Sequence, residues 1–494
     1  AFAEVSGDPE IDQDTNNVKL IFSIQPGKKT YTRKILFTGN QVTQDHVLRR
    51  EMRQFEGAWS SDDSIEAGKI RLERLGYFKE VNVETIPVPG TDDQIDVLYE
   101  VEEETTGSLG GNIGYSDFGL MLGFNLQEQN FFGSGNTVGI GINKNIYSEV
   151  YNISFLDPYA TKDGVSLGYN LYFRETDYGE FNVANYLTNS NGLGVQFGYP
   201  ISDITRLNFN LTYDKTDIDI GTLPAREIYD FVAAEGNLFE TLSLGFTWQR
   251  VTLNRGLFPT DGSSTSFTLT STIPGSDINY YRANIRQRFY QPLSSQLVFG
   301  FQGELGYLDA YGETDETPFF QNFYAGGPRS LRGFESNTLG PRSTNAPCYE
   351  FNYEDGTCPN LIDTDGDGEL DSPYYNPYAT NQYSSRSRYR DPPIGGNVKI
   401  EGSLQLIFRL PFIEDQRSLR SAFFFDFGNV FSDNCKEYQF NCYKPSIDDL
   451  RYSYGVGVTW ITGFGPMSLA IAKPTNAGPQ ERTEEFQFTV GNVF

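Results

Sequence analysis

The feature that most constrains this chain is a long series of runs in which apolar and polar residues alternate. From about residue 108 to the end, such runs recur with turn residues between them, and helical periodicity disappears. Leu167, Tyr169 and Leu171, for example, share one face, whereas Gly168 and Asn170 lie on the other. This pattern predicts β-strands, each with one apolar and one polar face.

Two further properties favour a membrane barrel over a soluble sandwich, which would also alternate. Aromatic residues make up 15% of the chain, and many lie near the ends of runs on the apolar face, as interfacial girdles do. Mean hydropathy is −0.44, and no stretch approaches the roughly 20 apolar residues of a spanning helix. We therefore expect a transmembrane antiparallel β-barrel of 16 strands, an even number as in bacterial barrels. The strands are predicted to begin near residues 109, 119, 136, 148, 163, 190, 203, 237, 263, 278, 296, 398, 420, 451, 466 and 484.

The residues before about 105 have a different organisation. The order of patterns is a strand at 30–38, a helix from Thr43, a helix from Ser61, and strands at 78–86 and 94–101. This order, β-α-α-β-β, predicts a compact α+β domain.

A possible internal repeat precedes that domain. Residues 17–24 alternate as 94–101 do, 77 positions later, so residues 1–26 are interpreted as the end of a preceding copy. The alternative is that any two amphipathic strands look alike.

Composition excludes several functions. The formal charge of −27 disfavours nucleic-acid binding, which needs clustered cations. His46 is the only histidine, its surroundings are typical of an ordinary helix, and no phosphate-binding loop is present. We expect no enzymatic activity.

Four cysteines and one acidic segment suggest local stabilisation of loops. The cysteines form two close pairs without a nearby histidine, which favours disulfides Cys348–Cys358 and Cys435–Cys442 over zinc. Asp363, Asp365 and Asp367 resemble the start of a calcium loop, although position twelve is Tyr374 and a full EF-hand is excluded. A solvated acidic turn is the alternative to a calcium site, and no other cofactor is expected.

A long connection, residues 311–397, contains Arg332 within Leu331-Arg332-Gly333-Phe334. Connections of this length are rarely inert in compact folds. On the strand 421–431, Phe423, Phe425 and Phe427 face lipid, so Asp426 faces the lumen. An Arg332–Asp426 pair would hold the loop inside the barrel, whereas a solvated loop arginine is the alternative.

The first and last strands are both unusual. The last, 484–494, is amphipathic and ends on Phe494, as is typical of the sorting signal of outer-membrane barrels. Three glycines within five residues of the first strand weaken side-chain packing. We therefore predict a weak seam between the two, formed by Gly110, Gly111, Asn112, Ile113, Gly114, Phe488, Val490, Gly491 and Phe494.

In these features the chain resembles the BamA family of outer-membrane assembly factors, within the superfamily of POTRA-bearing barrels. The resemblance implies a last POTRA domain at 27–104, in the periplasm, preceded by the remnant at 1–26 and followed by the outer-membrane barrel at 105–494. The segment Leu331–Phe334 corresponds to the family's Val-Arg-Gly-Phe loop motif, with Leu in place of Val. Asp426 corresponds to the aspartate that pairs with its arginine. The family's second acid falls at Gln405, and Glu401 on the same face is expected to substitute.

The resemblance also implies a function and partners. The Cys348–Cys358 pair matches the family's loop disulfide. The implied role is to fold and insert β-barrel proteins, by opening the seam so that substrate strands pair with its edge. Implied partners are unfolded barrel substrates, periplasmic lipoproteins, the lipid bilayer and lipopolysaccharide. A two-partner secretion transporter and a passive porin are the alternatives.

Overall fold

The structure is a computed structural model, and it describes residues 4–12, 17–25, 29–116, 119–179, 183–221, 224–345, 352, 392–410, 413, 418–439, 442–462 and 465–491. The chain divides into two compact units. One comprises Ala1–Leu109, Leu126–Gly139 and Phe155–Pro158, and the other comprises Gly110–Asn125, Ile140–Ser154 and Tyr159–Phe494. Within the described residues, every helix is too short or too polar to cross a membrane.

The first unit contains a two-stranded sheet and an α+β domain. Its elements are β1 (Glu4–Asp12), β2 (Asn17–Gln25), β3 (Tyr31–Thr38), α1 (Asp45–Arg49), α2 (Asp62–Arg74), β4 (Phe78–Pro87) and β5 (Gln94–Glu103). β1 and β2 pair antiparallel with each other. β5 lies in the middle of the second sheet, parallel to β3 and antiparallel to β4. The predicted order β-α-α-β-β is confirmed.

Local sequence explains α2 well. The side chain of Ser61 accepts a hydrogen bond from the Ser64 amide and caps the helix, and two aspartates occupy its first turn. Ile65 and Leu72 face inward and are buried. Gly76 follows the helix with φ +70°, a conformation that glycine adopts without strain.

The last residue of β5 holds the loop before α1. The Glu103 carboxylate accepts hydrogen bonds from the backbone amides of Gln41 at 3.0 Å, Val42 at 2.9 Å and Thr43 at 2.6 Å. Burial of Glu103 opposes its ionisation, but these amide bonds outweigh burial and lower the pKa of Glu103 below its ordinary value.

The same loop packs against the chain turn at 130–135, which belongs to the same unit. The Gln44 amide donates to the Gly133 carbonyl at 2.9 Å. Gly133 has φ +71°, and a Cβ added there would lie 1.9 Å from the carbonyl oxygen of Val42. Only glycine therefore fits this contact.

The barrel is closed by sixteen strands, as predicted. They are β6 (Gly107–Ser116), β7 (Gly119–Glu128), β8 (Thr137–Lys144), β9 (Ser148–Asp157), β10 (Ser166–Asp177), β11 (Leu187–Ser202), β12 (Thr205–Asp219), β13 (Leu238–Val251), β14 (Gly262–Thr272), β15 (Tyr280–Pro292), β16 (Leu297–Ala310), β18 (Val398–Phe408), β19 (Leu419–Phe431), β20 (Arg451–Thr462), β21 (Gly465–Pro474) and β23 (Phe486–Val490). Each begins within three residues of its predicted start. A separate short ladder joins β17 (Gly333–Phe334) to β22 (Thr483–Glu484).

One helix inside the barrel region was not expected. It is α3 (Arg226–Glu235), which lies in the connection between β12 and β13. Ile228 and Phe231 of this helix are buried in an apolar cluster that also contains Leu331 and Phe334 of the long connection. Packing of loop side chains against one another thus fixes the position of the segment that carries Arg332.

Candidate functional site: the loop latch and the seam

The segment around Arg332 is a tight turn whose backbone is fixed by hydrogen bonds. The Gly327 amide donates to the carbonyls of Leu331 at 3.2 Å and Phe334 at 3.1 Å. Gly326 has φ +105°, and a Cβ there would lie 2.5 Å from a backbone oxygen. Only glycine therefore fits at this position. The fixed conformation of the turn in turn fixes the position of the Arg332 backbone.

Arg332 binds Asp426 of β19 through two parallel hydrogen bonds. Its Nε donates to Asp426 Oδ2 and its Nη2 to Oδ1, both at 2.7 Å, and its backbone amide donates to Oδ2 at 3.2 Å. Nη2 also donates to Ser403 Oγ at 3.0 Å, and the guanidinium lies 3.4 Å from the ring centre of Phe424. Asp426 is fully buried, so removal of either partner would leave an uncompensated charge, at a cost of about 3–5 kcal/mol. We call this arrangement the latch.

The two other expected latch residues do not contact Arg332 in the described structure. Glu401 Oε2 lies 2.8 Å from Lys399 Nζ, and Gln405 Nε2 donates to Ser403 Oγ at 3.2 Å. The reason is strand register, because Ser403 lies opposite Asp426, whereas Glu401 is one lumen-facing position earlier in β18 and lies opposite Gly428. The expectation that Glu401 supplies a second carboxylate is therefore corrected, and a hydroxyl group takes that place.

Sequence reasoning missed a residue that joins the latch to the last strand. Gln487 of β23 is 2% exposed. Its Oε1 accepts a hydrogen bond from the Gly333 amide at 3.2 Å, and its Nε2 donates to the Phe334 carbonyl at 2.8 Å. The available signal was a long polar side chain at a lumen-facing position, between Phe486 and Phe488.

The connection that precedes β23 is held by the same loop and by β20. β22 pairs with β17, so the backbone of this connection continues the contact made by Gln487. Glu481 lies 2.6 Å from Arg451 Nε, and both side chains are buried. The last strand is therefore fastened from the lumen over several residues.

The seam between β23 and β6 is much weaker. Within the described residues, the two strands are joined by a single pair, Val490 with Tyr115. β23 and β21 share five pairs, and β21 and β20 share ten. Gly491 has φ +79°, and its amide donates to the carbonyl of Pro466 in β21 rather than to β6.

Gly110 and Gly111 of β6 do not make room for neighbouring atoms. An added Cβ would meet nothing within 4 Å at Gly111, and only one backbone oxygen at 3.9 Å at Gly110. These positions therefore lack side chains where side chains would fit, which leaves the strand weakly packed. Asn112 and Gly114 face the lumen beside them, whereas Ile113 faces outward and is 65% exposed.

Of the predicted disulfides, calcium loop and terminal phenylalanine, the structure describes one disulfide. Cys435 and Cys442 form a disulfide, with their Cα atoms 5.8 Å apart. Cys348, Cys358, the aspartates 363, 365 and 367, and Phe494 lie outside the described residues. Within the part of the chain that the structure describes, no acidic, histidine or cysteine cluster suited to a metal ion is found.

Comparison with known proteins agrees with this architecture. A repeat described as the surface antigen variable number repeat, or POTRA, matches residues 30–104. The profile of the Omp85 superfamily domain matches residues 130–494, which is more than half of the chain. The chain belongs to the Omp85 superfamily. Its relatives include outer-membrane proteins, and this barrel with a POTRA domain is accordingly placed in the outer membrane.

Proteins from bacteria and animals are similar in sequence to this chain. The outer membrane protein assembly factor BamA of Neisseria meningitidis serogroup B is 31% identical over the whole chain, which spans 60% of that protein's length. The mouse sorting and assembly machinery component 50 homolog is 22% identical over 88% of the chain. The chain thus spans at most about 60% of the BamA proteins it matches.

Solved structures show the same fold. The crystal structure of BamA from Haemophilus ducreyi lacking POTRA domains 1–3 has a TM-score of 0.78 at 30% identity, and the match covers 99% of this chain and 89% of that one. CdiB from Acinetobacter baumannii has a TM-score of 0.54 at 13% identity, covering 99% and 77%. The second similarity concerns the fold alone.

Proposed function

We propose that this chain folds and inserts unfolded β-barrel proteins into the outer membrane, as the membrane subunit of an assembly machinery. The observation that carries the proposal is the seam, where one described residue pair joins β23 to β6. Within the described residues, Gly107–Gly114 of β6 have no strand partner on that side. This edge is where an incoming strand would add by β-augmentation.

The energetics favour opening at this seam rather than elsewhere. Every unpaired backbone group in hydrocarbon costs several kcal/mol, so a barrel opens only where few pairs break and where a new strand replaces them. Parting β23 from β21 would break five pairs, whereas parting it from β6 breaks one described pair. Exchange of strands needs no covalent chemistry, so the proposed role is not enzymatic.

The latch has a defined part in this proposal. Gln487 binds the backbone of Gly333 and Phe334, so β23 stays in contact with the loop. The edge of β23 that faces β6 is held more weakly. Arg332 and Asp426 in turn hold that loop on β19. The latch thus sets how easily the last strand moves away from β6.

The POTRA domain would guide substrates and bind periplasmic lipoprotein partners. Its sheet has β3 and β4 at its two edges, and an exposed strand edge is a general site for adding a further strand. The acidic exterior, with a formal charge of −27, suits contact with divalent cations at a lipopolysaccharide surface. A calcium ion bound by Asp363, Asp365 and Asp367 would be one such divalent cation at the lipopolysaccharide surface.

The test is to lock the seam in living cells. Tyr115→Cys and Val490→Cys lie opposite each other, so a disulfide between them would prevent opening. We expect cells that depend on the oxidised double variant to lose many unrelated barrels from the outer membrane, and a reductant to restore them. Each single cysteine variant is the control. Normal barrel assembly in the locked state would refute lateral opening, and loss of one exported protein alone would indicate a secretion transporter instead.

A further inference from the structure

A second charged region of the barrel lies apart from the latch and the seam. At the barrel end where β6 begins, residues next to the ends of β13, β15 and β18 and at the start of β19 line a cavity of about 740 Å³. Arg255, Arg409 and Arg420 line it, together with hydroxyl groups of Thr260, Ser294 and Ser295. Within the described residues, its lining contains no aspartate or glutamate.

These arginines lack the partners that buried or clustered cations normally have. In the described structure, none of the three guanidinium groups forms an ion pair or a side-chain hydrogen bond. Nη2 of Arg420 is buried without a hydrogen-bond partner, although its guanidinium lies 4.7 Å from the ring centre of Tyr290. A buried guanidinium nitrogen without an acceptor is costly, and the exposed guanidinium groups of Arg255 and Arg409 line the same cavity, so the site favours an anion.

The cavity also has an apolar side that points to the source of the anion. Phe408 and Leu419 line it, and the ring of Phe408 stacks on Phe423 with centres 4.8 Å apart. Phe423 belongs to the lipid-facing row of β19 and is 56% exposed. The cavity therefore runs from the cationic rim of the lumen to the apolar surface that faces lipid.

We propose that this cavity binds the phosphate group of a phospholipid from the periplasmic leaflet. The three arginines and the hydroxyl groups would hold the phosphate, because each guanidinium group can donate two parallel hydrogen bonds to phosphate oxygens. The apolar side would contact the glycerol and the first part of the acyl chains. The site would fix a lipid at the rim of the barrel independently of the state of the seam.

The test compares lipid binding by the wild-type chain and two matched variants, by native mass spectrometry in mild detergent. Arg255→Gln/Arg409→Gln removes two exposed cations of the site, and in the described structure neither side chain forms an ion pair or a hydrogen bond whose loss would unfold the chain. Arg288→Gln removes an exposed lumen arginine that lines a neighbouring cavity instead. The heat-dependent gel mobility of the barrel checks folding.

We expect the wild-type chain and Arg288→Gln to bind phosphatidylglycerol about tenfold more tightly than diacylglycerol with the same acyl chains. The double variant should lose that preference. Equal retention of phosphatidylglycerol by the double variant would overturn the proposal, and so would an equal loss in Arg288→Gln. If inorganic phosphate binds to the lipid-free chain as tightly as phosphatidylglycerol does, the site is one for free phosphate and the lipid assignment is overturned.

Discussion

Truncation of Gln487 should release the last strand without disturbing the barrel wall. Gln487→Ala removes the hydrogen bonds to the Gly333 amide and the Phe334 carbonyl. The buried Gly333 amide loses the acceptor that Gln487 supplies, whereas the Phe334 carbonyl keeps the hydrogen bond from the Gly327 amide. A hydrogen bond contributes about 0.5–1.5 kcal/mol net, and an unsatisfied buried group costs about 1–3 kcal/mol. The contact between β23 and the loop should therefore weaken by about 2–4 kcal/mol.

This loss is comparable with what the described seam pair contributes. One residue pair between β23 and β6 supplies at most two backbone hydrogen bonds, or about 1–3 kcal/mol. A shift of 2 kcal/mol changes the ratio of closed to open seam about thirtyfold. The closed fraction can be measured as the rate of disulfide formation between Tyr115→Cys and Val490→Cys under limiting oxidant, which should fall clearly in Gln487→Ala.

The matched control is Thr489→Ala. Thr489 lies two residues further along β23 and lines the same lumen cavity as Gln487, but its side chain forms no hydrogen bond within the described structure. We expect it to leave the cross-linking rate unchanged. If Gln487→Ala and Thr489→Ala cross-link at the same rate as the unaltered strand, the latch does not hold β23 and the reasoning fails.

Three further outcomes are expected. Asp426→Ala should leave Arg332 without its carboxylate, cost about 3–5 kcal/mol locally and make the loop sensitive to protease, whereas an unchanged digestion pattern would contradict the latch. Because the folded-state pKa of Glu103 is lowered, its stabilisation should be complete above the ordinary carboxyl value of about 4.3 and disappear as the pH falls through the lower folded value. Hydrogen exchange of the three amides that it binds should therefore be faster in Glu103→Gln at pH 7, with a smaller difference in acid, and a constant difference would contradict this. Gly133→Ala places a Cβ 1.9 Å from a backbone oxygen and should lower the unfolding temperature. Gly57→Ala is the control, because φ is also positive there but nothing lies within 4 Å of an added Cβ, and its effect should be far smaller. Equal effects of the two variants would show that the close contact is unimportant.

Local patterns predicted the strands because the constraints on a membrane barrel act on each residue separately. A strand such as β10 must present Tyr169 and Leu171 to lipid and Asn170 to the lumen, so its position can be read from alternation alone. The same alternation predicts that Asp426 faces the lumen, without any knowledge of strand pairing. Strand bounds and the facing of single residues are therefore predictable.

Contacts between distant segments were not predictable in the same way. Ser403 in place of Glu401 depends on the register between β18 and β19, and Gln487 depends on where a loop more than 150 residues earlier comes to lie. The α3 helix was overlooked because its ten residues lie within a loop of a β-rich region. Its Ile228, Phe231 and Val232 nevertheless have helical spacing, so the signal was present in the sequence.

The way in which β23 is held also affects the folding of this chain itself. Its partners at Gly333 and Phe334 are 154 and 153 residues away in sequence, and Tyr115 is farther still. Contacts between residues so far apart in sequence form late in folding, because closing the long intervening chain costs conformational entropy. Because the contacts of β23 with Gly333 and Phe334 span fewer residues than its pair with Tyr115, we expect the loop to bind β23 before the barrel closes during the biogenesis of this protein.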